Sequence, residues 1–149
     1  MIPRSSSTPT TPSRCGRRVS ILLLAVILTC GAVLRTAQAD PAYDRCIKQS
    51  DGTNQAWAAC GGELIGREDS RLNATWKKVH SLLEPDAARA LLAEQRAWIA
   101  YRDASCTFYA TGDYGREGQV LNYPTCRAAV IASRVADIAR IGAFVSTGR

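Results

Sequence analysis

The chain of 149 residues is poor in the groups on which most enzymes depend. Its one histidine, His80, has no Ser or Cys nucleophile arranged with it, so imidazole-assisted catalysis is not expected. No CxxC occurs, and a single histidine leaves zinc without its ligand spacing, so neither a metal nor another cofactor is expected. After residue 40 there is no hairpin-type turn between alternating strands, no internal repeat and no low-complexity tract. The longest apolar run, Val19 to Val33, spans about 15 residues, short of the roughly 20 that a membrane span requires.

A surplus of positive charge is also missing where it would matter. The chain holds 19 basic and 13 acidic residues. Residues 1–39 contain five arginines and no acid, which leaves 14 basic against 13 acidic in the remainder. With no basic cluster there, nucleic acid is not an expected partner.

What is present begins with an export signal. Arg4, Arg14, Arg17 and Arg18 precede the apolar run, and Ala37-Gln38-Ala39 offers an A-x-A cleavage site before Asp40. The predicted organisation is a signal peptide over 1–39 and one domain over 40–149. Acylation at Cys30 is the alternative, but Leu28-Thr29 makes a poor lipobox. Membrane association is therefore expected only during export or through that lipid.

Four cysteines remain after the signal: Cys46, Cys60, Cys106 and Cys126. An even number in an exported chain points to two disulfides. Three connectivities are possible; sequence proximity and the helix layout favour Cys46–Cys60 and Cys106–Cys126. Each would contribute roughly 3 kcal/mol to a domain of modest core.

Hydrophobic periodicity predicts an all-α fold: a small, disulfide-stapled domain with a long antiparallel helix hairpin and short N- and C-terminal helices. A short helix is expected over 41–49, then a turn at Ser50–Asn54. A long helix over 55–83 carries the stripe Trp57, Gly61, Leu64, Ile65, Leu72, Trp76, Val79 and Leu83; Gly61, Gly62 and Gly66 weaken its first half, where a break or kink would be no surprise. Pro85 opens a helix to about Tyr109, with Ala88, Leu91, Leu92, Gln95, Trp98, Ile99, Arg102 and Cys106 on one side. A glycine-punctuated loop follows over 111–124, and a last helix starts at Pro124 or Thr125 and runs to about Phe144. Its stripe is Ala128, Ile131, Val135, Ile138 and Gly142.

Gln95 and Arg102 sit where apolar residues belong, and a core-facing guanidinium needs a carboxylate. In a hairpin turning near residue 84, Arg102 lies across from residues near 68. Glu68 or Asp69 is therefore its expected partner, and Trp98 lies across from Leu72. Glu68, Asp69 and Asp103 are better read as partners of Arg102 or as helix-surface charges than as a glycosidase pair.

Two segments, CGGELIGREDSRLNATW (residues 60–76) and QRAWIAYRDASC (95–106), resemble the bacterial lysozyme inhibitor LprI family. The family pattern falls on Cys60, Glu63, Asp69, Leu72, Asn73 and Trp76, then on Gln95 to Cys106, Cys126 and Arg134. The chain departs from it at Trp76, Glu68 and Ile131. The resemblance implies a non-enzymatic inhibitor that protects peptidoglycan by occluding a muramidase cleft, with lysozyme as its protein partner. An accessory periplasmic module that binds an envelope protein or glycan and inhibits nothing is the alternative. Glu68, Asp69, Asn73, Gln95 and Arg102 are the expected structural polar network.

The loop between Cys106 and Cys126 is the candidate binding element. A bridge would clamp both its ends and lower the entropy cost of binding. It carries Asp113, Tyr114, Arg116, Glu117, Asn122 and Tyr123, with Tyr114 and Arg116 as leading anchors. The turn Ser50–Asn54, held by the other bridge, offers no aromatic anchor. Trp57, Trp76 and Trp98 are assigned to the core rather than to a sugar-stacking platform.

Overall fold

The computed structural model describes residues 40–148, so the export signal and the Cys30 alternative lie outside the described residues. The described elements are all helical. They are α1 (Pro41–Gln49), α2 (Asn54–His80), α3 (Pro85–Ala104), α4 (Thr107–Ala110), α5 (Gly115–Glu117), a π-wound segment (Gly118–Asn122) and α6 (Tyr123–Thr147).

Local chemistry sets the helix starts. The Asp40 carboxylate accepts from the N–H groups of Ala42 and Tyr43, at 2.8 and 2.9 Å, and Pro41 fills the first helical position. Those bonds, led by the one from Tyr43, lower the Asp40 pKa, and Arg67 of α2 adds to the effect through an ion pair at 3.2 Å. After α1 the chain turns at Gly52, whose φ of +77° suits glycine, and Thr53 caps α2 by accepting from the Ala56 N–H. The Cys46–Cys60 disulfide then fastens α1 to α2.

The glycines do not break α2, which runs as one helix through Gly61, Gly62 and Gly66. Gly61 is there for contact: a Cβ at this position would lie 2.7 Å from Pro124 Cγ on α6. At the other end the roles reverse, and a Cβ on Gly142 of α6 would meet Val79 Cγ2 at 2.8 Å. The sequence offset is the same at both contacts, so α2 and α6 run parallel and in close approach. Helix α3 returns antiparallel to both. Against α6, Arg127 reaches Arg102 and Asp103 while Arg134 reaches Glu94 and Gln95. Against α2, Arg102 approaches Asp69.

The core forms between these three helices from Leu72, Val79, Leu91, Ile131 and Ile138, with Ile65, Trp76, Leu83, Trp98, Val135 and Ile141 packed around it. Ile131 and Ile138 are fully buried. The α3 stripe is narrower than its periodicity suggests, because only Leu91 is buried and Leu92 and Ile99 remain 37% and 38% exposed. The expected hairpin of α2 and α3 is present, but the closest packing in the domain joins α2 to α6.

The tail of α3 also differs from expectation. The helix stops at Ala104 rather than near Tyr109, because Cys106 adopts a left-handed conformation with φ +70°. That reversal turns the chain toward its bond with Cys126. The region expected to be loop to residue 124 is wound into α5 and the π segment, and α6 starts at Tyr123 and extends to Thr147.

Candidate functional site

The most deeply buried charge is Arg134, 4% exposed, and not Arg102. Its Nε donates to Gln95 Oε1 at 2.9 Å and its Nη1 to Glu94 Oε1 at 2.5 Å. Gln95 therefore serves Arg134. Two guanidiniums lie over the Trp98 ring, those of Arg102 and Arg134, at 5.7 and 5.8 Å from its centroid.

Arg102, with a side chain 22% exposed, pairs with its neighbour Asp103 at 2.9 Å and approaches Asp69 at 3.8 Å. Of the two acids considered for it, Asp69 is the one nearby. Glu68 is buried but binds Arg71 one turn along α2, at 2.8 Å. Asn73 is exposed, and its side chain joins no such bond among the described residues. Asp103 accepts from both Arg102 and Arg127, and these bonds lower its pKa, with Arg102 the larger influence. The Arg102–Asp69 and Arg127–Asp103 contacts tie α3 to α2 and to α6. Among the described residues no group of three His, Cys, Asp or Glu side chains could hold a metal ion. His80 lies against the Trp76 ring at 5.3 Å.

Beyond this polar seam the chain builds a surface from the segment between Cys106 and Cys126. The disulfide joins its ends across a Cα distance of 5.9 Å. A second fastener lies beside the bond: Arg127 donates to the Arg102 carbonyl at 2.5 Å and to Asp103 at 2.7 Å, capping the C-terminus of α3. Inside the segment, Gln119 Nε2 donates to the Ala110 carbonyl at 3.2 Å. Gly118 is buried, and a Cβ on it would stand 3.1 Å from both the Tyr109 carbonyl and Tyr114 Cβ. Gly112 and Gly115 supply the positive φ values that the turns need.

This scaffold presents aromatic rings to solvent. Tyr114 is 54% exposed and stacks, tilted, on Phe108 with ring centroids 4.4 Å apart; Phe108 is itself 55% exposed. Tyr109 meets Phe108 edge-on at 5.3 Å. Asp113, Arg116 and Glu117 are exposed around them, and Arg116 makes no ion pair among the described residues. Tyr123 is half-buried at the start of α6, and Asn122 is exposed.

Sequence reasoning does not single out Phe108. The available signal is the pair Phe108-Tyr109 directly after Cys106, which reads as the end of a helix until the reversal at Cys106 is known. The competing turn after α1 is held by Asp51, which accepts from Thr53 N and Oγ1 at 3.0 and 2.7 Å, and it carries no ring.

A curated relative from Rhizobium meliloti (strain 1021), described as an uncharacterized protein, is 25% identical over 134 residues, covering 81% of this chain and 93% of its own. No solved structure matches the chain. The family model described as lysozyme inhibitor LprI matches residues 46–138, from the first disulfide cysteine into α6. The chain therefore belongs to the LprI lysozyme inhibitor family.

Proposed function

We propose that the protein is an exported inhibitor of lysozyme-type muramidases, and that it docks through the segment between Cys106 and Cys126. The observation that carries this reading is the exposed Phe108–Tyr114 pair on a doubly fastened scaffold, in a member of an inhibitor family. Large apolar surface left in water is retained at a cost unless a partner covers it. Aromatic and arginine side chains are the usual centres of binding energy, and a pre-ordered element loses little entropy on docking. Arg116, exposed in the same segment, supplies a cation suited to a cleft whose working groups are carboxylates.

Export rests on the leader over 1–39, with processing before Asp40. Asp40 lies directly after the A-x-A site and caps α1, so processing there keeps that cap in the mature chain. N-terminal sequencing of the exported protein checks the cut.

The inhibition test is a cell-wall turbidity assay with the exported protein and purified muramidase. Tyr114→Ala combined with Arg116→Ala should leave thermal stability nearly unchanged and weaken inhibition at least about tenfold. Full inhibition by that folded variant would move the site elsewhere. No inhibition by the wild type would favour an accessory envelope module.

A further inference from the structure

We propose that the Cys106–Cys126 disulfide is a redox latch on the docking surface. Reduction by a dithiol lets Cys106 leave its left-handed conformation and separates Phe108 from Tyr114, while the three-helix core persists. This rests on the reading of that surface given above.

Three observations combine. Cys106 is the one described non-glycine residue with positive φ, a conformation that an L side chain adopts only when its surroundings hold it there. It is also the hinge: α3 ends two residues before it, and the turn bearing Phe108 starts directly after it. The covalent bond to Cys126 is what fixes that hinge. Without the bond, right-handed geometry is favoured at Cys106, α3 can continue, and Phe108 swings away from the ring it now touches.

The base of the segment would stay in place. Arg127 holds the Arg102 carbonyl and Asp103, and Arg134 holds Glu94 and Gln95 further along, none of them through sulfur. The two disulfides also differ in access. Cys46, Cys106 and Cys126 are each half-buried, so the second bond can be approached at either sulfur, whereas the first is closed at Cys60, which is 3% exposed.

The chemistry is thiol–disulfide exchange. A thiolate of the dithiol attacks one sulfur and forms a mixed disulfide, and the other cysteine leaves as a thiolate. The second thiol of the reagent then closes its own disulfide. Two electrons pass to the protein, and Cys106 and Cys126 end as free thiols.

The experiment uses the exported protein, graded dithiothreitol and alkylation mapping, with helicity followed by circular dichroism and the proximity of the Phe108 and Tyr114 rings by proton NMR. Cys106 and Cys126 should be alkylated before Cys46 and Cys60; helicity should persist while the two rings part. Two variants isolate the hinge. Cys106→Ser with Cys126→Ser should abolish the ring–ring NMR signal and weaken muramidase inhibition about tenfold. Cys106→Gly with Cys126→Ser, which tolerates the positive φ without a bond, should recover most of both.

Rings that stay stacked after reduction would overturn the proposal. So would a fall in helicity in step with the first bond, or a glycine variant no better than the serine one. Because the NMR readout needs no muramidase, failure of the latch is distinct from failure of the inhibitor reading.

Discussion

Arg134 offers the sharpest test of how the domain is held together. Its guanidinium is buried, yet its partner Glu94 keeps a side chain 57% exposed, so the pair is asymmetric in solvation. Deleting the arginine therefore strands little charge, because Glu94 can turn to water. It would cost the packing of a long side chain between α3 and α6, the bond to Gln95, and the stacking on the Trp98 face.

Arg134→Ala should destabilise by about 3 kcal/mol, the lower end of the range for opening a buried pair. With a urea slope of about 1.5 kcal/mol per molar, the midpoint would fall by about 2 M. Arg134→Met refills most of the volume and removes a desolvated charge, one of whose nitrogens, Nη2, has no hydrogen-bond partner. Such apolar replacements are often neutral, so Arg134→Met should lie within about 1 kcal/mol of wild type. Urea denaturation followed by circular dichroism separates the two. If Met proves as damaging as Ala, the charge itself is structural and the packing argument fails. If Ala is harmless, Arg134 is not buried in solution.

Two further outcomes follow from the helix contacts and the charges. Gly142→Ala would force a Cβ to within 2.8 Å of Val79 and should destabilise by about 1–3 kcal/mol, whereas Gly62→Ala, with open space at its Cβ, should stabilise by about 0.5–1 kcal/mol; thermal melts of the two variants give the comparison. Asp40 and Asp103 have pKa values lowered below 3.8 by their hydrogen bonds, so they favour the folded state above that value, and this contribution disappears as pH falls through their folded pKa values. Urea midpoints should thus decline on acidification below about pH 4, and Asp103→Asn should flatten that decline.

How much of the fold and the site is legible in the sequence depends on the physics behind each feature. Helix identity comes through because periodicity and the opening proline at Pro85 are local. The disulfides follow from parity and proximity, and the hairpin register puts Asp69 near Arg102. Arg134 is not recognisable as the buried cation, because a wheel drawn for α3 alone cannot say which helix covers Gln95. Gly61 reads as a weak point and Gly142 as one more residue of a stripe, whereas their role is to let two distant helices touch, which is a tertiary fact. At the candidate site, composition picks out Tyr114 and Arg116. It overlooks Phe108, whose exposure depends on a backbone reversal that nothing local at Cys106 announces.

The parallel pairing of α2 with α6 has a consequence for synthesis. Parallel neighbours cannot be joined by a tight turn, so the best-packed helix pair in the domain is also one of the most separated in sequence. Ile131 and Ile138, the largest fully buried side chains among the described residues, come late in the chain. A nascent chain that has made α1 to α3 therefore holds Leu72, Val79 and Leu91 with no helix to cover them. Core formation must wait for the C-terminal helix, which delays cooperative folding until translation is nearly complete. A truncation inside α6 would release not a smaller domain but a chain with an open seam, ready prey for proteases.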